Sequence, residues 1–576
     1  MKKIKLIYLF AAIGFFSMTS CEDVLDTDSL GSYPNDLIFS DPTQLEKVVY
    51  SAYNSTNGWA LNKSIWWARR FNVEVGSFEA KFNFKDLDRL RLRGNGWTAL
   101  NPGDFNNKWR DYFLFINEIN QFLDNVDESE AMKTDADLVN VLKAEMKFLR
   151  ANIYAKMVKM FGGLPIFETA FGLGSEFNIP RNSYEECVAF IVKELDEAAA
   201  VLPVTRPASE FGRATKLAAL AVKSRTLLFA ASKLHDPATL PSGPLYDYTK
   251  ATKWKDAADA AKAVIDLVGA RDLIATPDAA AYQKLFLSAN QDILFARPYG
   301  ETLYDFGLDV NSLPDQTQSP SGYGGWALSS PTHNFALEFN MADGSSTSGA
   351  TFNAATPNAN REMRYYADLN YQGANFRGRS VDYSLSDSIG VAPNRVPAFP
   401  HGLDSSEGLG NVRHSSKTGY NIRKFQDESL TRVTDVSAGR PYILYRLAEV
   451  YLNYAEAQAE LNNDIEAKIF LNKVSTRALQ PEITVTGDAL KEAIKRERRI
   501  ELAFEGHNFW DERRWMNPDN LGFDIKGLKW KKEVSGVLTH TEYTVVTRPW
   551  FDKEYYLPIP NQEIQKAPAL IQNDGY

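Results

Sequence analysis

Helical periodicity occupies two separated blocks of this chain, 41–268 and 440–505, and the roughly 170 residues between them carry none. In the first block, Asp41-Pro42-Thr43 supplies an N-cap with proline at the first helical position, followed by Leu45, Val48, Val49 and Ala52 on one face. Further helices are predicted at 105–126, 136–161, 183–202, 215–234 and 251–267. In the last, Trp254, Ala257, Ala258, Ala261 and Ile265 fall at i, i+3, i+4, i+7 and i+11, with small residues where a second helix could approach closely. The second block reads as helices at 440–461, 465–477 and 488–505, with Asp488 as N-cap and Gly506 at the C′ position.

The segment 270–439 is rich in Gly, Ser, Asn, Pro and Tyr. A structureless loop of that length is implausible inside a compact body, so irregular loops and short strands packed on the helices are expected. The tail adds strand-like stretches such as Tyr543-Thr544-Val545-Val546. The expected fold class is mainly α: a tetratricopeptide-like helical hairpin scaffold with a large loop-rich insertion and a few short strands, although no clean 34-residue repeat is visible. One body is expected, in three regions at about 41–268, 270–439 and 440–576. Function in such scaffolds sits in the loops.

The N-terminus fixes where the chain works. Lys2, Lys3 and Lys5 precede an apolar run of about eleven residues, 6–16, then small and polar residues up to Cys21. That run is about half of what a bilayer-spanning helix needs. Residues 1–20 therefore read as a lipoprotein signal peptide and Cys21 as the lipidated first residue of the mature chain. The sequence before it is a loose lipobox, with Met18 in place of the usual Leu; the competing reading is an ordinary signal peptide with an incidental cysteine. No later stretch approaches twenty apolar residues, so membrane attachment is expected through lipid alone. With Cys21 lipidated, Cys187 has no disulfide partner and reads as a buried small apolar residue.

Net charge is −9, and the basic cluster Lys495, Arg496, Arg498, Arg499 is interleaved with Glu497 and Glu501. Phosphate-backbone binding needs a net positive face, so nucleic acid is not an expected partner. The six histidines are scattered and form no HExxH, no P-loop or dinucleotide pattern matches the glycines of 322–326, and no GxSxG occurs. Glu501 and Glu505 are spaced as a helical carboxylate pair, but Arg498, Arg499, Arg513 and Arg514 share their stretch. Surrounding guanidinium groups depress carboxylate pKa values, the wrong direction for a general acid, so structural ion pairing is expected.

Aromatic residues make up 12% of the chain, and several fall outside the helical pattern. Trp66 and Trp67 precede Arg69-Arg70, Trp97 is flanked by glycines and polar residues, and Tyr299, Tyr304, Tyr323 and Trp326 lie in the loop-rich middle. A sugar ring offers an apolar C–H face and a rim of hydroxyls, which a flat aromatic platform with polar neighbours would bind. These seven are the candidate ligand contacts; packing beneath long loops is the alternative. Trp109, Tyr112, Trp254 and Trp515 read as structural.

The C-terminal third resembles the SusD/RagB family of Bacteroidetes outer-membrane lipoproteins. The resemblance rests on 440–457 (RPYILYRLAEVYLNYAEA), 471–478, 494–515 (IKRERRIELAFEGHNFWDERRW) and the ending 556–563 with 572–576. Weaker likeness extends to 21–26, whose acidic residues resemble a surface-export signal, to 144–151 with 161–166, and to Asp343-Gly344 with 361–364, where Glu362-Met363 departs from the commoner Asp-Pro. The family implies a non-catalytic lipoprotein, facing the exterior, that sits as a lid on a SusC-like TonB-dependent transporter. Its tetratricopeptide-like helices would face that partner and its loop face would bind a glycan or, in some members, a peptide. No cofactor is expected; whether Ca²⁺ orders the Asp- and Asn-rich middle is open.

Overall fold

The computed structural model describes residues 35–56, 73–83, 97–102, 105, 107–172, 174, 177–298, 304–305, 308–309, 313–391, 393–408, 414–435 and 440–576. The signal segment, Cys21, Trp66, Trp67 and Tyr299 lie outside the described residues.

The first helical block forms α1 (Pro42–Ala52), α2 (Lys108–Val126), α3 (Ala136–Phe161), α4 (Tyr184–Val201), α5 (Lys216–Ala231) and α6 (Lys253–Val268). Local chemistry sets their starts. The Asp41 carboxylate accepts the Thr43 amide at 2.8 Å, and Ser183 and Glu186 close a capping box on α4. After α3, Gly162 takes φ +75°, and a Cβ on Gly163 would lie 2.2 Å from the Asn182 carbonyl oxygen. Only glycines allow that turn against the chain before α4. Each helix from α2 to α6 packs on the next, most extensively in the pairs α3–α4 and α5–α6.

The second block gives α7 (Leu447–Glu460), α8 (Asp464–Arg477), α9 (Asp488–Glu501) and α10 (Asn508–Trp515). α7 lies directly on α6, so the chain leaves the helical stack after α6 and returns to it as the next hairpin, α7–α8. Two boundaries differ from expectation. Residues 442–446 are strand, not helix, because this apolar run pairs antiparallel with Ile293–Arg297, Tyr442 opposite Arg297 and Arg446 opposite Ile293. Short apolar runs do not distinguish strand from helix by periodicity alone. α9 ends at Glu501 with Leu502 as C-cap, and Gly487, not Asp488, holds the N-cap position.

In chain order the strands that matter are β1 (Ala80–Phe82), β2 (Ile293–Arg297), β3 (Ser329–Pro331), β4 (Leu385–Ser386), β5 (Tyr442–Arg446), β6 (Phe523–Lys532) and β7 (Leu538–Arg548). β6 and β7 form a long antiparallel hairpin, and β4 adds to β6 in parallel. β1 pairs with β3. The middle region is part of the same interior as the helices: Tyr365, Phe376, Tyr420 and Ile422 join one buried cluster with Leu149, Leu447 and Ile500. Cys187 is buried, and burial pushes its thiol up to about 12.

Candidate ligand-binding face

The charges of the 494–515 stretch are consumed inside the protein. Glu501 accepts from Arg446 Nη1 at 2.6 Å, from Arg364 Nη1 at 3.0 Å and from Arg477. Glu505 accepts from Arg446 Nε at 2.7 Å and from Lys424 Nζ at 2.9 Å. Ion pairing was expected, but the partners are not the sequence neighbours. Arg498 and Arg499 turn instead to Asp511 and Glu512, and Arg514 to Glu456 and Asp511. Arg513 donates to the carbonyls of Phe509 and Glu554. Burial alone would raise the Glu501 carboxyl; Arg477, Arg446 and Arg364 overcome it and hold the group well below the usual carboxylate range. Glu362, the departure from the commoner family pattern, is explained by the same network: it accepts from Arg364 Nη2 at 2.9 Å and from the Asn340 amide.

Of the seven candidate aromatics, the structure separates those it describes. Trp97 is fully buried, with Phe105 at 5.6 Å, Phe509 at 6.3 Å and the Arg513 guanidinium at 5.7 Å from its ring, so the expected platform is a core residue. The glycines beside it in sequence suggested a loop, but the long-range partner that buries it, α10, lies some 400 residues away. Tyr323 is also tied down. Its hydroxyl donates to the carbonyls of Phe376 (2.7 Å) and Arg379 (3.0 Å), and the Arg379 guanidinium covers its ring at 3.7 Å. That geometry contradicts an open platform at Tyr323. Tyr304 is placed only by its backbone, paired with Asp309 in a two-residue ladder.

Trp326 is different. The chain doubles back before it, with the amides of Trp326, Ala327 and Leu328 donating to the carbonyls of Gln316, Ser319 and Thr317. Gly325 permits the fold-back, since a Cβ there would lie 2.2 Å from the Ser319 oxygen. The indole is half-buried, with His414 at 6.4 Å between ring centroids and 32° between planes. Three residues on, Lys417 donates to Ser415 Oγ at 3.0 Å, and its carbonyl accepts the hydroxyl of Tyr543, a 38%-exposed residue of β7. Trp326 thus stands beside His414 in the loop region, and the chain three residues on, at Lys417, contacts Tyr543 of the C-terminal hairpin. Flat apolar surface beside hydrogen-bonding groups suits an uncharged polyhydroxylated ligand. His414 and Tyr543 had no signal in the sequence, because only the fold brings His414 to Trp326 and Tyr543 to Lys417.

His235 and His333 are structural: His235 stacks on Tyr184 at 3.9 Å, and burial pulls both down to about 4. Among the described residues no group of His, Cys, Asp or Glu is placed to hold a metal ion, and no helix is long and apolar enough to cross a membrane. On the helical side a groove of about 470 Å³ runs between α4, α5 and α6, floored by Val188, Val192, Leu220 and Ala260 and rimmed by Lys193 and Asp256.

Comparison with known families decides the assignment. Residues 293–576 match the SusD family, and residues 25–228 match a second family described as starch-binding associating with outer membrane. The chain belongs to the SusD/RagB family. A SusD-like protein, P25, of Formosa agariphila is 23% identical over 99% of this chain and 98% of its own length. The crystal structure of a SusD-like protein from Bacteroides fragilis superposes with a TM-score of 0.74 at 25% identity, covering 94% of this chain and 99% of that one. The surface glycan-binding protein A of Bacteroides thetaiotaomicron, solved in complex with laminarihexaose, has the same fold at TM-score 0.62 and 16% identity, covering 92% and 99%. The SusD-type architecture therefore extends over nearly the whole chain, and outer-membrane association follows from the family.

Proposed function

We propose that this SusD-like protein is a lipid-anchored receptor at the cell surface that captures an oligo- or polysaccharide and delivers it to a SusC-like TonB-dependent transporter. Cys21 carries the anchor. The observation that carries the reading is Trp326, a half-buried indole held by a hydrogen-bonded fold-back beside His414 in the loop region. The laminarihexaose bound by a relative of the same fold supports a glycan as ligand. The remaining expected contacts, Trp66, Trp67, Tyr299 and Tyr304, stay part of the proposal.

In this reading the transporter meets the helices, where the groove between α4, α5 and α6 offers an apolar floor with a charged rim. The proposed role is non-catalytic, supported by the spaced carboxylates Glu501 and Glu505, which are buried and ion-paired and leave neither free to protonate a leaving group. Peptide capture on the same scaffold is the competing reading, and the aromatic face favours glycan. The test is a chromosomal deletion. Growth on one polysaccharide should fail while growth on its monosaccharides continues, and the purified protein should release no reducing ends from that polysaccharide. Measurable turnover would overturn the receptor reading.

A further inference from the structure

Lys156 and Lys159 stand three residues apart on α3 and line one small cavity with Arg225 of α5, Tyr445 of β5, and Tyr184 and Phe229. Its free space is about 10 Å³, room for one particle the size of a water molecule. Three cations meet there; among the described residues only Arg225 is paired with a carboxylate, Glu449, while Glu449 and Asp511 act on Lys159 from beyond contact distance. Arg225 pairs with Glu449 through Nε (2.5 Å) and Nη2 (2.6 Å), and stacks 3.6 Å from the Tyr445 ring. Among the described residues Lys156 makes one hydrogen bond, to the Ser55 carbonyl at 3.3 Å. Lys159 makes no hydrogen bond or ion pair among the described residues and lies between the rings of Phe229 (5.1 Å) and Trp510 (5.4 Å). The Tyr184 hydroxyl, fully buried, is also without a hydrogen-bond partner there.

The unmet groups share one character. Two ammonium groups can only donate, and the Tyr184 hydroxyl has a proton to give. A water molecule in their midst would bring two protons of its own and meet few acceptors. An anion accepts from every side and offsets the excess positive charge, which an uncompensated interior tolerates poorly. A space for one water-sized particle suits a monoatomic ion better than sulfate, phosphate or a carboxylate ligand.

We propose that this cavity is a binding site for a monoatomic anion of the chloride class, which locks α3 to α5 and β5. The alternative resolution of the charge is a neutral lysine: burial draws both ammonium groups down to about 7, so proton loss competes with anion binding.

Two measurements separate these. Thermal unfolding of the intact protein in sodium chloride and in sodium gluconate, at equal ionic strength, should differ by about 1–2 °C in favour of chloride. The difference should vanish in Lys159→Met, which keeps the unbranched stem between Phe229 and Trp510. Tyr184→Phe, which removes only the hydroxyl, should shrink it and serves if Lys159→Met does not fold. Crystals of the parent protein grown in bromide should show an anomalous peak beside Lys159 Nζ. Superimposable unfolding curves in the two salts, or ordinary water density with no anomalous signal in bromide crystals, would overturn the proposal in favour of a neutral lysine.

Discussion

Arg446, the last residue of β5, meets Glu501, the last residue of α9, at 2.6 Å with both side chains buried. The same guanidinium reaches Glu505, and Glu501 also holds Arg364 of the loop region and Arg477 of α8. One carboxylate therefore ties the returning helices to the insertion.

Removing that charge takes one carboxylate from each of three buried arginines, leaving Arg446 with Glu505, Arg364 with Glu362 and Glu497, and Arg477 with Asp292. Glu501→Gln should cost about 3–5 kcal/mol, the range for breaking a buried pair from one side, read as a lower urea midpoint or loss of soluble protein. A folded Glu501→Gln protein of parental stability would show that the network is dispensable.

Glu79 gives a pH signature. Burial, with Glu74 nearby, raises its carboxyl to about 8, above an unfolded value of about 4.5. The folded state then binds an extra proton between those values, so this group's contribution to stability falls as pH rises from about 4.5 to 8. Glu79→Gln should be about 2–4 kcal/mol more stable than the parent at pH 8.5, with the gap closing near pH 4.5. A gap that stays constant with pH would mean that Glu79 is ionised in the fold. Glu501, depressed by its arginines, acts in the opposite sense: its contribution is present above its unfolded pKa and lost as pH falls through its lower folded value.

Trp97 and Trp326 should respond in opposite ways. Trp97→Ala opens a cavity among Phe105, Phe509 and Arg513 and should cost about 3–5 kcal/mol. Trp326→Ala removes a half-buried ring and should leave the unfolding midpoint nearly unchanged while abolishing ligand binding. Calorimetric unfolding of both variants beside a binding assay checks this; a stable Trp97→Ala protein that has lost binding would reverse the assignment.

Tyr323→Phe deletes a hydroxyl that serves two backbone carbonyls. A stability loss of about 1–2 kcal/mol is expected, with ligand affinity unchanged. An affinity loss at parental stability would return Tyr323 to the site.

What the sequence revealed follows the range of the forces involved. Helices α3 and α8 matched their expected spans within one residue because caps and 3.6-residue periodicity are local. The strand at 442–446 was misread because its partner, 293–297, lies about 150 residues upstream and lends no periodic signature. The face was legible only in part: Trp326 stood out as a loop aromatic, but Trp97 had the same appearance, and only α10 decides that one is core. His414 and Tyr543 carry no local mark at all.

The most direct test is isothermal titration of the lipid-free protein, beginning after Cys21, against plant, host and microbial oligosaccharides and a mixed peptide digest, repeated with Trp326→Ala. Saturable binding to one glycan class, lost in Trp326→Ala and kept in Tyr323→Phe, is the expected result. Binding to peptides alone, or glycan binding that survives Trp326→Ala intact, would contradict glycan capture on this face.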